Sequence, residues 1–199
     1  MEIGIDLDGT CFPFTELLID FVEKKTGIKY NIPPEFEMWR GWKITRERWF
    51  ELYEEFVLNK GLEIADIYPN VVSTLKYLHE QGHHIHIITH RLFPDKGSKL
   101  RTMMIYSTVN WLEKMNVYYD SLLIMKDKGL VQLDVLVDDA VHNLEKVHAH
   151  TIPLCIKQPW NHTWKKKVLY KGLEIPNRFD NIKEIIPVIN KIDKLKNGY

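Results

Sequence analysis

The chain has 199 residues, enough for one domain carrying an insertion and for a sizeable buried core. It is 45% hydrophobic and 27% charged, as globular proteins commonly are, and its 27 basic residues balance 27 acidic ones, which argues against a dedicated duplex-binding surface. No apolar run reaches the roughly 18 residues needed to span a bilayer, and no basic stretch precedes an apolar one at the N-terminus, so a cytoplasmic protein without membrane or stable nucleic-acid partners is expected.

Residues Glu2 to Ile5 read as a short buried strand running into acidic residues. Leu17, Leu18, Phe21 and Val22 give residues 15–26 a helical apolar pattern that stops at Gly27. Residues 28–44 hold Pro33-Pro34 and the aromatics Tyr30, Phe36, Trp39 and Trp42. A helix is predicted from its N-cap Thr45 to Leu58, and another from Pro69 to Gly82. A strand over 84–89 leads through a polar loop to a helix over 101–116. Strands are predicted over 122–125, 134–137 and 151–156, with helices over 140–149 and 181–196. Short β-branched strands alternating with helices predict an α/β fold, its parallel sheet covered on both faces. Cys11 and Cys155 match no metal-ligand spacing and read as free thiols of a reducing compartment.

In such sheets the active crevice lies beyond the carboxyl ends of the strands. Those ends carry Asp6 and Asp8, Thr89, and Asp138 with Asp139, while Lys128 falls just after the strand at 122–125. A lone Asp-x-Asp is commonly a turn or a solvated pair; the weight lies in several strand ends carrying the set together. Asp6 can offer one oxygen to Mg²⁺ and the other to phosphorus. Asp6, Asp8 and Asp138 form the expected metal set, with Asp139 behind them orienting water or the lysine. Lys128 and the metal would cancel the repulsion between a carboxylate and a phosphate, and Thr89 and His90 would contact phosphate oxygens. Asp8 is placed to protonate the leaving alcohol and then to activate water.

These residues resemble the motifs of the haloacid dehalogenase superfamily: Asp6-Leu-Asp-Gly-Thr10 its first, Ile87-Ile-Thr89 its second, Lys128 its third and Val137-Asp-Asp139 its fourth. The resemblance covers roughly residues 1–12 and 66–156. It implies a Rossmann-like three-layer α/β/α core, an aspartyl-phosphate intermediate and Mg²⁺. The stretch Asp127-Lys-Gly-Leu-Val-Gln-Leu-Asp-Val-Leu-Val-Asp-Asp139 is similar to the corresponding segment of 5′(3′)-deoxyribonucleotidases and related bacterial nucleotidases, which makes Lys128, rather than Lys126, the phosphate lysine. Two departures stand out. Asp139 is followed by Ala-Val-His-Asn instead of Arg-Pro, and Thr89 by His90-Arg91 instead of serine.

The resemblance divides the chain into a hydrolase core, 1–13 and 66–199, and a small helical cap inserted after the first strand, 14–65. Trp39 and Trp42, flanking Arg40, are the candidates for a substrate pocket, whereas Trp49, Phe50, Tyr53 and Phe56 are expected to form the cap's own core. His84 and His86 share a strand face and are expected to pack against the sheet. Lys96, Lys99 and Arg101 form a basic cluster that reads as a solvated loop, with a phosphate clamp as the alternative. The expectation is a Mg²⁺-dependent hydrolase of a small phosphate ester, a nucleoside monophosphate first. A sugar phosphate or other metabolite, and a non-catalytic binding module on this fold, are the alternatives.

Overall fold

The computed structural model describes residues 1–91 and 98–198, Ser98 by its backbone. Strand β1 (Glu2–Ile5) is followed by helices α1 (Phe14–Thr26), α2 (Met38–Gly41), α3 (Arg46–Leu58) and α4 (Val71–Glu80). Next come β2 (His84–Thr89), α5 (Ser98–Lys114), β3 (Ser121–Ile124), β4 (Val135–Asp138), α6 (Val141–Leu144) and β5 (Ile152–Ile156). The chain closes with β6 (Val168–Tyr170), β7 (Leu173–Ile175), β8 (Arg178–Phe179) and α7 (Ile186–Asn197). Six strands form one sheet in the order β3-β2-β1-β4-β5-β8. Every pairing within it is parallel. Helices flank the sheet, so its central strands are apolar almost throughout, as burial on both faces requires.

Alternation along the strands divides the core. Ile3, Ile5, Ile85, Ile87, Val135 and Val137 join a large apolar cluster with side chains of α1, α3, α4, α5 and α7. Ile88 and Leu136 instead join Leu133, Leu144, Cys155 and Trp164 in a smaller one. Apolar residues of the 14–65 segment (Leu18, Val22, Phe56) therefore run continuously into those above the sheet. Cys11 and Cys155 are unpaired and buried. Among the described residues, no helix is long and apolar enough to cross a membrane.

Parallel register decides what meets at the strand ends. Ile5 lies beside Ile87 on one side and Val137 on the other. The next residues along, Asp6 and Asp138, are therefore neighbours, and the Asp6 amide donates to the Val137 carbonyl at 2.9 Å.

The predicted helix over 140–149 is only α6, four residues long. The chain has to cross closely over the turn at 128–130: a Cβ on Gly129 would lie 2.4 Å from the Lys146 carbonyl oxygen, so the backbone leaves the helix to make this contact. The closing helix is also shorter, with residues 182–185 in a tighter 3₁₀ turn ahead of α7. Three short strands, β6 to β8, and α2 had no counterpart in the prediction. The β6–β7 hairpin turns at Lys171 and Gly172, both at positive φ (47° and 77°), as two-residue hairpin loops require.

Candidate active site

The loop after β1 wraps around one acceptor: the Leu7 carbonyl receives the amides of Thr10, Cys11 and Phe12 at 2.7 to 3.1 Å. Gly9 turns this loop at φ 81°, and a Cβ there would lie 2.7 Å from the Asp139 carboxylate. The glycine is thus needed twice, for its backbone angle and for its lack of a side chain. Asp127 caps the short 3₁₀ turn over Lys128–Leu130, which carries Lys128 inward.

Lys128 is 2% exposed, and its ammonium donates to Asp6 Oδ1 at 2.5 Å and to Asp138 Oδ2 at 2.6 Å. Burial opposes its charge, but Asp138 and Asp6 outweigh burial and hold the ammonium well above its ordinary pKa. Burial pushes the Asp6 carboxyl up from its ordinary 3.8 to about 7, with Lys128 opposing and Asp138 and Asp8 reinforcing the shift. Asp139 rises in the same way, through burial and then through Asp138 and Asp6. Three buried carboxylates thus face one ammonium.

The carboxylates that approach one another, to within 4.8 Å, are those of Asp6, Asp138 and Asp139. Asp8, expected in this set, instead has its carboxylate gripped by Arg91. Asp138 is heavily bonded: Oδ1 accepts from the Ala140 amide at 2.7 Å, and Oδ2 from Lys128 and from Asn143 Nδ2 at 3.0 Å. Asp139 Oδ2 accepts from the Trp160 indole at 2.7 Å. Asp6 Oδ2 and Asp139 Oδ1 take none of these bonds. Hard oxygen donors with two uncompensated negative charges fit Mg²⁺. Asp138 is bonded to the lysine, and Asp139, expected behind the metal set, stands with Asp6 and Asp138 in the same acidic group.

These pKa directions set a testable pH dependence. Without metal, the folded protein holds a proton on Asp6 that the unfolded chain has lost between pH 3.8 and about 7. That stability is fully present below the unfolded value and is lost as pH rises through the folded one; Asp139 acts in the same direction. The melting temperature in EDTA should therefore fall from pH 5 toward pH 7.5. Mg²⁺ should recover it most at the higher pH, by about 2.7 kcal/mol at a hundredfold excess over its Kd. Melting curves with and without Mg²⁺ at the two pH values test this.

Above the carboxylates lies a cavity of about 290 Å³. Asp6, Asp8, Gly9, Lys128 and Asp139 line it together with His90, with His142 and Asn143 of α6, with Trp160, and with Phe36, Met38, Trp39, Trp49, Phe50 and Tyr53 from the 14–65 segment. Thr89 is fully buried, with its hydroxyl unpartnered among the described residues. His90 faces the cavity, and burial together with Lys126 and Lys128 lowers its pKa.

Trp42, expected in the pocket, is not among the lining residues. It is buried, stacked on Tyr30 at 4.5 Å, and donates its indole N–H to the Asn31 carbonyl. Trp49, Phe50 and Tyr53 pack with the large apolar cluster, as expected, and also line the cavity. His86 bonds to Ser121 and Glu2, and His84 is exposed. Of the basic cluster, Lys96 lies outside the described residues, while Lys99 and Arg101 are exposed on α5. Arg91, Asn143 and Trp160 had no place in the expected site. Arg91 entered the sequence reading only as a departure from a motif.

A parallel sheet of this order, with acids, a threonine and a lysine gathered at its strand ends, defines a phosphomonoester hydrolase of the haloacid dehalogenase superfamily. The family model described as "5' nucleotidase, deoxy (Pyrimidine), cytosolic type C protein" matches residues 1–172, and the chain belongs to that family. A relative from Chlorobaculum tepidum, described as "Putative 5'(3')-deoxyribonucleotidase", is 27% identical over 149 residues, covering 73% of this chain and 72% of its own. Two solved structures share the fold. A phosphonoacetaldehyde hydrolase like protein from Oleispira antarctica has a TM-score of 0.58 at 13% identity, covering all of this chain and 94% of its own. A beta-phosphoglucomutase from Clostridium difficile has a TM-score of 0.54 at 15% identity, covering 100% and 99%.

Proposed function

We propose that the protein hydrolyses (deoxy)ribonucleoside monophosphates in the cytoplasm, with Asp6 as nucleophile and Mg²⁺ held by Asp6 and Asp139, and Asp138 beside them. The observation that carries this reading is the convergence of Asp6, Asp8, Lys128 and Asp139 at one end of an aromatic-walled cavity. Mg²⁺, when bound, would neutralise phosphate charge and hold its oxygens in place.

Lys128 and the Thr89 hydroxyl bind phosphate oxygens and stabilise the charge that builds on them. An oxygen of Asp6 attacks phosphorus. The P–O bond to the alcohol breaks as that oxygen takes a proton from Asp8, leaving phosphate bonded to Asp6. Asp8, now ionised, takes a proton from water, whose oxygen attacks phosphorus. The Asp6–phosphorus bond breaks, and inorganic phosphate leaves. The 14–65 segment acts as a cap, covering the site and contacting the part of the substrate distant from phosphorus.

The walls favour a nucleotide over a sugar phosphate. Away from the charged end, the lining is largely aromatic, with Trp39, Trp49 and Phe50, where a sugar's hydroxyls would need many polar partners. The family description and the name of the Chlorobaculum tepidum relative support the same choice.

The test is phosphate release, supported by Mg²⁺, across nucleoside monophosphates and sugar phosphates. Activity confined to sugar phosphates would move the assignment to that class, and none on any ester would end it. Trp39→Ala should raise KM for nucleotides on the order of tenfold, given about 1 to 3 kcal/mol for stacking one base. Its KM for 4-nitrophenyl phosphate should change less. Equal effects on both would remove Trp39 from base recognition.

A further inference from the structure

Arg91 is entirely buried, although guanidinium groups are among the costliest to bury without a partner. It leaves the end of β2 two residues after Thr89 and lies against both Phe12 and Trp111, its guanidinium carbon 4.4 Å from one ring centroid and 5.9 Å from the other. Those rings meet edge to face at 4.9 Å, giving the guanidinium a rigid apolar seat. Nη1 donates to the Thr108 hydroxyl of α5 at 3.3 Å. Two further donors go to Asp8. Nη2 reaches Oδ1 at 2.6 Å, and Nε lies 3.1 Å from both Oδ1 and Oδ2.

This geometry does more than neutralise a charge. Asp8 stands in the Leu7–Phe12 loop with its side chain 26% exposed, and the guanidinium fork fixes the plane of its carboxylate. The short bond occupies Oδ1. Among the described residues, Oδ2 receives only the long Nε contact and keeps its capacity for a further partner. Lysine could supply the charge but not the two-point grip.

We infer that Arg91 is a positioning residue that sets the Asp8 carboxylate for proton transfer to the leaving oxygen. The inference rests on the phosphohydrolase reading above. Because Arg91 acts through Asp8, losing its grip harms the reaction in proportion to how much the leaving group needs a proton. An alkoxide needs one, whereas 4-nitrophenolate departs without it.

The experiment compares kcat/KM, which covers steps up to P–O cleavage, for the best alkyl ester of the substrate panel and for 4-nitrophenyl phosphate. Arg91→Lys should lower the alkyl value about 10²-fold and leave the aryl value within about threefold of wild type. Thr108→Val, nearly isosteric, loosens Arg91 from its other side and should show the same selectivity at smaller size. It carries the test if Arg91→Lys does not fold. In an Asp8→Asn background, Arg91→Lys should cost nothing more on the alkyl ester. Equal loss on both esters, no loss on either, or an added loss in the Asp8→Asn background would overturn the inference. A wild-type protein inactive on both esters would instead take down the phosphohydrolase reading, and this inference with it.

Discussion

Asp6→Asn is expected to stop turnover, by a factor on the order of 10⁴ or more, while the chain still folds. An amide is nearly the same size and shape as the acid but is a poor nucleophile toward phosphorus. The fold tolerates it because burial already favours the neutral carboxyl: with Asp6 pushed up to about 7, the metal-free site at pH 6 holds it mostly protonated. The variant should therefore melt close to wild type in EDTA at pH 6 and show a weaker fall in stability toward pH 7.5. Phosphate release and melting curves on the same preparation test both halves. Full activity would remove Asp6 from the chemistry. Lost activity with a collapsed melt would leave its role as nucleophile unsupported.

Lys128→Met should produce the largest loss of stability at neutral pH. The side chain is buried and holds Asp6 and Asp138 together, so its removal leaves three acids with no cation among them. Breaking a buried pair from one side commonly costs about 3 to 5 kcal/mol. At this chain length, that lowers the melting temperature by about 10 °C. The acids can escape part of the cost by taking up protons, so the deficit should shrink as pH falls toward 5 and grow toward 8. Mg²⁺ should restore some stability by supplying the missing charge. Activity should not return with it, because the phosphate cradle also loses its ammonium, a loss of about 10² or more. A deficit independent of pH would mean that the ammonium does not compensate these carboxylates.

The sheet was readable in the sequence because its strands are buried on both faces and stand out as short β-branched runs. The alignment of their ends followed from parallel pairing, and it brought Asp6, Thr89, Lys128 and Asp138 to one edge before any contact was known. What was not readable had local causes. β6, β7 and β8 have two or three residues each, too few for a period to show. The shortening of α6 came from a contact with Gly129, far from it in sequence.

That Trp49 lines the cavity as well as packing with the core, while Trp42 does not line it, has a different cause. Periodicity tells which side of a helix avoids water, but a core and the wall of a cavity both do. Trp49, Phe50 and Tyr53 do lie on a common apolar side of α3, and that side faces an opening. Arg91 was unreadable for the opposite reason. A charged residue after a strand has no pattern that marks it as buried; only the rings of Phe12 and Trp111 and the carboxylate of Asp8 explain it.

Strand β1 sits between β2 and β4, bonded along both edges, and Asp6 continues directly from it into a bond with Val137. Backbone amides in such a position exchange with solvent deuterium only when the whole sheet opens, whereas those of edge strands and surface helices exchange through smaller fluctuations. The proposed nucleophile is therefore expected in the slowest-exchanging part of the fold.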